Sequence, residues 1–362
     1  MKICFCVDTL ESGGAERVAS ILANEFATKG HYVEMVMISE DQPESFYKLN
    51  SGVKLIPLFA DSKLNKRNFF NKIKLLKRHI LLTKPEVIIS FLPNVNICTY
   101  FATKKIKWAK HIVSERNNPL ADPQSKIKRI FKEHAFAKSN GIVCQTTQAL
   151  NYYQGKTNVT KTVIPNPISY EALLSDKTSH NFNNNLISVG RLEKQKNFQL
   201  LIHAFCFFNK NHPESLLKIY GTGSEENNLR ALRDELALND KVIFCGNSST
   251  WIEDNLNSSL FISSSLYEGM PNALMESLFN GIPCIATKCP IGGSEDLITH
   301  MTNGLLCENN DLNDLISKME MLYGNSELTT RFQDYNLELR KKYLPNSIAD
   351  MWLKFIYKVV NN

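Results

Sequence analysis

Residues 260–294 contain two short apolar runs on either side of a helical segment. The first run is residues 260–262 (LFI) and the second is residues 282–286 (IPCIA). Such runs predict parallel strands that are buried on both faces. Between them, Pro271 suits the first turn of a helix, and Gly281 suits its C-terminal cap. The stretch therefore predicts a β-α-β unit, in which ligands bind at the carboxyl ends of the strands.

Two carboxylates flank the start of this predicted helix. Glu268 lies in the loop before it, and Glu276 lies inside it, about 7–8 Å along the helix axis from Pro271. The free N–H groups of the helix N-terminus between them form an anion site. Carboxylate, anion site and carboxylate match the hydroxyls, diphosphate and ribose of a nucleotide-sugar. The alternative is a capped surface helix with two solvated acids.

Strand and helix patterns alternate along the whole chain. Such alternation predicts an α/β fold with doubly wound parallel sheets. The two prolines of the segment IPNP, residues 164–167, favour an extended crossing between two domains. We expect an N-terminal domain over residues 1–165, completed by a last helix over residues 345–362, and a second domain over residues 166–344. The predicted strands are residues 2–7, 32–38, 87–91, 111–114, 141–145, 186–189, 217–220 and 242–245, and the predicted helices are residues 15–29, 97–104, 198–208, 225–236 and 272–280, with a polar loop over residues 175–185.

Composition indicates a two-domain cytosolic protein. The chain has 362 residues, 43% of them hydrophobic, which is enough to bury two cores. It has no apolar run of about 18 residues that would span a membrane, and its first residues lack the pattern of a signal peptide. Its nine cysteines lie mostly in apolar runs without zinc-site spacing. We therefore expect reduced cysteines and a cytoplasmic location.

Basic residues are concentrated in the first half of the chain. Residues 1–166 hold 25 Lys and Arg against 13 Asp and Glu, a net charge of +12, whereas the rest carries −6. Residues 62–85 contain eight of these cations and no acid, and they have an apolar stripe at helical spacing. The stripe consists of Phe69, Ile73, Leu76 and Ile80. A basic amphipathic helix of this kind predicts binding to an anionic membrane surface.

Two other interpretations of the basic half were considered. One is a solvated charged face over a core stripe, and it stays open. Nucleic acid is the other, but the chain has no zinc spacing, RNA-binding signature or strip of stacking aromatics. We therefore expect no nucleic-acid partner.

Three further loops follow predicted strands and carry glycines or cations. Gly13 and Gly14 follow the first strand and precede a helix, without the third glycine of a dinucleotide fingerprint. Arg191 and Lys196 follow the strand 186–189, where two cations can clamp a diphosphate. Gly221 and Gly223 follow the strand 217–220 and let backbone approach a nucleotide. The alternatives are tight turns without a ligand and ordinary loop charges.

Three sequence frames resemble the family 4 glycosyltransferases with the architecture called GT-B. They are EGMPNALMES at residues 268–277, VGRL followed by KNF at residues 189–198, and GGAER at residues 13–17. The resemblance covers essentially the whole chain. It implies two Rossmann-like domains that face each other across a cleft, with the C-terminal helix crossing back to the first domain. The first domain would bind the acceptor and the second the nucleotide-sugar donor.

The resemblance also implies roles for individual residues. Glu268 would hold hydroxyls of the transferred sugar, Glu276 the ribose, and Arg191 with Lys196 the diphosphate; Glu268, Arg191 and Lys196 are the expected catalytic residues. Glu16 and Arg116 are expected on the acceptor side. Related enzymes often have a histidine near Arg116, so a histidine role cannot be transferred; Arg116 is either a phosphate contact or a plain surface arginine. The expected donor-binding residues are Gly13, Gly14, Arg191, Lys196, Gly221, Gly223, Glu268, Gly269, Met270, Pro271, Asn272, Ala273, Leu274 and Glu276.

The implied activity is that of a retaining hexosyltransferase. The chain lacks an Asp-X-Asp pair for a divalent ion, so we expect a metal-independent enzyme without a cofactor. The expected donor is a UDP-sugar. The expected acceptor is a lipid-linked glycan of bacterial surface polysaccharide, such as O-antigen or capsule, at the inner face of the cell membrane. The alternatives are a GT-B nucleotide-sugar epimerase or phosphorylase, and a two-lobed binding protein without enzymatic activity.

Overall fold

The computed structural model describes residues 1–11, 13–174 and 182–361, which form two compact units. The first unit comprises Met1–Pro167 and Tyr343–Asn362, and the second comprises Ile168–Lys342. The division at Pro167 falls in the IPNP segment that we expected to join the domains. Of the polar loop expected over residues 175–185, residues 175–181 lie outside the described residues.

The first unit contains a sheet of seven parallel strands in the order β3-β2-β1-β4-β5-β6-β7. The order reverses between β1 and β4, and in sheets of this type the ligand crevice lies at such a point. The strands are β1 (Lys2–Val7), β2 (Tyr32–Met37), β3 (Val53–Pro57), β4 (Val87–Phe91), β5 (Lys110–Glu115), β6 (Gly141–Cys144) and β7 (Thr160–Val163).

Six α-helices accompany this sheet in the described residues. Three of them start at a polar N-cap, Asn68, Ser125 or Thr146, whose side chain accepts a hydrogen bond from a first-turn N–H group. The helices are α1 (Gly14–Thr28), α2 (Phe69–Thr83), α3 (Pro93–Thr103), α4 (Lys126–Ala137), α5 (Thr147–Tyr153) and, from the end of the chain, α12 (Pro345–Val360).

Helix α12 is part of the core of the first unit. Trp352 and Ile356 are fully buried in one hydrophobic cluster with Phe5 and Phe91, and the rings of Phe91 and Trp352 lie 6.2 Å apart. Burial of an Ile or Phe side chain contributes on the order of 1.5–3 kcal/mol. The apolar face of α12 therefore explains why the last helix belongs to the first unit, as expected.

The second unit repeats this topology with six parallel strands in the order β10-β9-β8-β11-β12-β13. Here the order reverses between β8 and β11. The strands are β8 (Asn183–Val189), β9 (Leu216–Tyr220), β10 (Val242–Gly246), β11 (Ser258–Ser263), β12 (Cys284–Thr287) and β13 (Leu305–Cys307), and the helices are α6 (Phe198–Asn211), α7 (Glu226–Glu235), α8 (Asn272–Phe279), α9 (Gly293–Leu297), α10 (Leu312–Leu322) and α11 (Ser326–Leu339).

The predicted fold class is confirmed, because both units are Rossmann-like α/β layers with parallel sheets. Several boundaries differ from the prediction. Helix α3 begins at Pro93 rather than near residue 97, since proline suits a first helical turn. Strand β12 begins at Cys284, after Pro283, rather than at residue 282. Among the described residues, no helix has both the length and the apolar character needed to cross a bilayer.

Candidate functional site

The predicted donor-site residues of the second unit follow the two strands between which the strand order reverses. Arg191 and Lys196 come after β8, and Glu268 comes after β11. Strands β8 and β11 are hydrogen-bonded neighbours, so their carboxyl ends lie side by side. This edge is where ligands bind in sheets of this topology. The chain thus brings its two predicted cations and the first predicted carboxylate to one place.

Glu268 and Lys196 form an ion pair at this edge. Lys196 Nζ lies 2.5 Å from Glu268 Oε1, and the Glu268 residue is only 7% exposed. Ser265 donates its hydroxyl to the same carboxylate oxygen at 2.8 Å. Gln195 donates to the Tyr267 carbonyl at 2.8 Å and, more weakly at 3.4 Å, to the other Glu268 oxygen. The carboxylate is therefore fixed in orientation by groups from both loops.

This ion pair was not part of the sequence-based prediction. We expected Lys196 to be free for a diphosphate and Glu268 to be free for sugar hydroxyls. In the structure the Lys196 ammonium lies on Glu268, although four-fifths of the lysine side chain and nine-tenths of the glutamate side chain are removed from solvent. Burial, followed by the negative charge of Glu268, raises the pKa of the Cys289 thiol to about 12. The Cys289 thiol is therefore neutral at physiological pH.

Arg191 differs from Lys196 in its surroundings. Its side chain is exposed and makes no hydrogen bond or ion pair with any residue that the structure describes. A guanidinium presents a planar fork of N–H donors that matches phosphate oxygens. Arg191 is therefore the cation of this edge that is available to an anionic ligand.

The glycines of the β8 and β9 loops are required by contact between the loops themselves. Gly221 has a φ of +130°, and a Cβ atom there would lie 2.0 Å from the Gly190 carbonyl oxygen. A Cβ atom at Gly223 would lie 2.4 Å from the Leu192 carbonyl oxygen. The two loops are joined by the Leu192 N–H, which donates to Thr222 at 2.9 Å. We predicted that these glycines let backbone approach a nucleotide; the structure adds a packing reason for them.

The segment before helix α8 is held from the opposite side by α9. A Cβ atom on Gly293 would lie 1.5 Å from the Gly269 carbonyl oxygen and 3.1 Å from the Pro271 ring. Met270 and Pro271 are buried. Only glycine at position 293 therefore allows this loop to lie where it does, and the sequence-based analysis had noted Gly293 only as part of a turn.

Helix α8 begins at Asn272, as predicted, and ends at Phe279. Pro271 occupies its N-cap, and a proline side chain has no atom that could cap the first-turn N–H groups. The first turn carries Asn272, Ala273 and Leu274. Glu276 follows in the second turn and is 5% exposed. The alternative of two solvated acids on a surface helix is wrong, because Glu268 and Glu276 are both buried.

In the first unit, the Gly13 loop lies at the carboxyl end of β1. Gly13 is the N-cap of α1, and the carboxylate of Glu16 folds back over it, since a Cβ atom on Gly13 would meet Glu16 Oε2 at 2.2 Å. The Tyr47 hydroxyl accepts from the Gly13 N–H at 2.9 Å and donates to its carbonyl at 2.7 Å. Burial, and then the charges of Asp8 and Glu11, raise the pKa of Glu16. Gly14 starts the helix itself.

Arg116 lies past the end of β5 and is buried, so the alternative of a plain surface arginine is wrong. Its guanidinium lies 4.7 Å from the Phe91 ring centroid and 5.8 Å from that of Trp352. Nη1 donates to Asn166 at 2.9 Å, an oxygen that Gln145 also binds. Burial lowers the pKa of Arg116 to about 9. The structure thus ties Arg116 to the IPNP segment, which the sequence did not indicate.

Several residues of both sites were missed from the sequence. Ser265 and Gln195 orient Glu268, and Tyr47 holds Gly13. Ser265 lies three residues before Glu268, which is the one signal that sequence spacing offered; the other two contacts join distant segments. Within the described part of the chain, no three His, Cys, Asp or Glu side chains are grouped as metal ligands would be.

Comparison with protein families gives two matches that together take in most of the chain. Residues 12–172 match the family described as Glycosyltransferase Family 4, and residues 174–338 match Glycosyl transferases group 1. The two matched segments correspond closely to the two units of the structure.

Relatives with names include two bacterial enzymes. A Campylobacter jejuni protein, GalNAc-α-(1→4)-GalNAc-α-(1→3)-diNAcBac-PP-undecaprenol α-1,4-N-acetyl-D-galactosaminyltransferase, is 29% identical over 100% of this chain and 99% of its own. The lipopolysaccharide 1,6-galactosyltransferase of Salmonella typhimurium is 25% identical over 100% and 98%. Among solved structures, Staphylococcus aureus TarM, crystallised with fondaparinux, α-GlcNAc-glycerol and UDP, has a TM-score of 0.79 at 16% identity and covers 100% of both chains.

Proposed function

The chain belongs to the family 4 glycosyltransferases of GT-B fold, and on this basis we propose that it transfers a hexosyl residue from a UDP-sugar to a lipid-linked glycan with retention of anomeric configuration. The named relatives are transferases of bacterial polysaccharide and lipopolysaccharide assembly. They favour glycosyl transfer over the epimerase, phosphorylase and binding-protein alternatives.

The observation that carries the proposal is the group of side chains at the strand-order reversal of the second unit. Exposed Arg191 and the uncapped first turn of α8 would bind the donor diphosphate, because both present N–H donors to an anion. Glu268, oriented by Lys196 and Ser265, would accept hydrogen bonds from hydroxyls of the transferred sugar. Buried Glu276 would accept from the ribose hydroxyls.

The reaction follows from this placement. The bond between the anomeric carbon and the diphosphate oxygen breaks, and a bond from the acceptor oxygen to the same carbon forms on the same face of the sugar. The acceptor proton passes to an oxygen of the departing diphosphate, which leaves as UDP. Arg191, Lys196 and the α8 N-terminus would stabilise the negative charge that grows on the leaving group. We propose that no metal ion is needed, since these groups supply the positive charge.

The UDP-sugar and lipid-linked parts of the proposal draw on the relatives. The Campylobacter enzyme is named for an undecaprenol diphosphate acceptor, and TarM was crystallised with UDP. The net charge of +12 on residues 1–166 supports binding to an anionic membrane surface. We therefore propose that the enzyme acts in surface polysaccharide assembly, at the inner face of the cell membrane.

A thermal-shift screen of UDP-sugars against the full chain tests the donor site. A ligand at 100 times its Kd stabilises a protein by about 2.7 kcal/mol, which is readily measured. We expect one UDP-sugar to stabilise the wild type, and Glu276→Ala and Arg191→Gln to lose most of that response. Lys194→Gln is the matched control, because Lys194 is an exposed cation on the same loop.

The anomeric configuration of the product, determined by NMR, then tests retention. If no nucleotide-sugar stabilises the wild type, the donor assignment is wrong. If Lys194→Gln loses the response as fully as Arg191→Gln, general charge rather than a defined diphosphate contact explains binding. An inverted product would contradict the same-face mechanism while leaving the donor site intact.

A further inference from the structure

The first unit has an open apolar groove between helices α2, α3 and α4, which we call the α2–α4 groove. It has a volume of about 640 Å³. Its lining consists mainly of aromatic and branched side chains, among them Phe69, Phe70, Ile73, Phe101, Ile127 and Phe131. The volume falls within the range of small-molecule sites, about 300–1,000 Å³.

The apolar side chains of this groove are unusually accessible to solvent. Phe70 is 79% exposed and Ile127 is 68% exposed. Large apolar side chains that are exposed together usually mark a surface for a lipid, a ligand or another protein. The α2–α4 groove is therefore a candidate binding surface, not part of the hydrophobic core.

One end of the groove lies at the ligand edge of the sheet. Asp8 and Ile38, which line it, directly follow strands β1 and β2, and Asn94 lies just beyond β4. Strand β1 also leads into the loop of Gly13. A molecule in the groove would thus have one end close to the edge where the acceptor hydroxyl is expected.

The charges around the groove are mainly positive. Arg67, Lys72 and Lys128 line it together with one carboxylate, Asp8. Lys72 lies 3.6 Å from Asp8 and hydrogen-bonds to Ser39, so these charges offset each other. The side chains of Arg67 and Lys128 form no ion pair with any described residue. An apolar groove with two unpaired cations is complementary to an anionic head group on a hydrocarbon chain.

We propose that the α2–α4 groove binds the first isoprene units of a polyprenyl-diphosphate-linked acceptor, with the diphosphate near Arg67 and Lys128. This inference rests on the lipid-linked acceptor of the proposed function and adds where its chain is held. The groove selects the acceptor by its hydrocarbon as well as by its glycan. Binding there also differs from adsorption of the whole basic face to a bilayer, because it requires a single chain to enter the groove.

Farnesyl diphosphate is the probe, titrated calorimetrically into the full-length protein without membranes, with inorganic diphosphate for comparison. The test variant is Ile127→Asp. Its matched control is Ile130→Asp, on the same helix and 66% exposed, whose side chain is not part of the lining. We expect Ile127→Asp to weaken farnesyl diphosphate binding about tenfold or more, since it removes apolar contact and puts a carboxylate beside the anionic chain. Ile130→Asp should change it less than twofold.

Three results would overturn the proposal. They are no binding of farnesyl diphosphate by the wild type, inorganic diphosphate binding as tightly as the prenyl compound, and equal weakening by the two aspartate variants. Equal weakening would indicate adsorption of the whole face. Transfer to a short, water-soluble acceptor and the UDP-sugar thermal shift are measured in parallel. If both succeed while farnesyl diphosphate fails, the groove assignment is wrong and the proposed transferase function stands.

Discussion

The ion pair of Lys196 and Glu268 defines what each residue can do during transfer. Glu268→Gln keeps the side-chain shape but removes the negative charge that Lys196 and Ser265 orient. We expect kcat to fall about 10²–10³-fold, a typical loss for one oriented group at a developing charge. The KM for the donor should change much less, because Arg191 and the α8 N-terminus still bind the diphosphate. Steady-state kinetics with the UDP-sugar found in the screen measure both values.

Lys196→Met and the double variant complete a cycle for this pair. If the two side chains act as one unit, the double variant should lose no more activity than the worse single variant. Losses that multiply would contradict the unit and show that lysine and glutamate act separately. Far-UV circular dichroism of all three variants controls for folding.

His111 links the first unit to pH. It is buried on β5, its Nε2 lies 2.7 Å from the Ser90 hydroxyl, and burial lowers its pKa to about 3. The unfolded chain takes up a proton near pH 6.5 and the folded chain does not, so acidification favours unfolding. Between pH 7 and pH 5 this residue alone should reduce the free energy of unfolding by about 2 kcal/mol.

Denaturant titrations at both pH values measure this loss. His111→Gln serves as the reference, because glutamine can still bond to Ser90 but does not titrate. We expect a smaller pH dependence for the variant by the same amount. An identical pH dependence in the two proteins would mean that His111 is protonated in the folded state as well.

Individual site residues were predictable where one short frame carries them, and contacts between frames were not. Glu268, Glu276 and Arg191 were selected because each lies in a motif next to a predicted strand. The Lys196–Glu268 pair joins residues separated by 72 positions, and it depends on β8 and β11 being neighbours in the sheet. Arg116 shows the same limit: its burial results from Trp352 on the last helix, and no local pattern contains that information.

At the level of elements, the central strands were predicted and most edge strands were not. Strands β1 and β4 are continuous apolar runs, because helices cover both of their faces. Strands β3 and β7 are the two edges of the first sheet, and their sequences, VKLIP and TKTV, are half-exposed and lack such a run. Strand β13, an edge of the second sheet, has only three residues. Edge strands are short and mixed in polarity, so periodicity cannot identify them.

The contact of α9 with the loop before α8 gives a prediction at this level. Gly293→Ala would place a methyl group 1.5 Å from the Gly269 carbonyl, so the loop that presents α8 must move. We expect a loss of about 1–3 kcal/mol in stability and a smaller thermal shift with the UDP-sugar. The matched control is Gly304→Ala in the same unit, where the nearest atom would be 3.2 Å away. An unchanged UDP-sugar response in Gly293→Ala would show that the position of this loop does not limit donor binding.

The two units share one strand order but differ in charge. The order 3-2-1-4-5-6 in the first sheet recurs among the six strands of the second, so both place a strand-order reversal where a ligand can bind. The first half of the chain carries +12 and the second −6. Equal topology with opposite charge fits a division of labour in which one unit meets an anionic surface and the other binds the donor through a few defined contacts.

This charge difference leads to a prediction for the whole molecule. The protein should sediment with vesicles containing phosphatidylglycerol at low salt, and not with purely zwitterionic vesicles. At about 1 M salt the Debye length falls to roughly 3 Å, so binding should be largely lost. Lys74→Glu with Lys77→Glu, on the exposed side of α2, should weaken binding strongly, since each cation near the surface contributes about 1 kcal/mol. The control is Lys341→Glu with Lys342→Glu, the same change of charge at exposed positions of the second unit. If both pairs weaken binding equally, net charge rather than the basic face of the first unit attracts the protein, and if the wild type stays in the supernatant at low salt, the protein reaches its acceptor without this attraction.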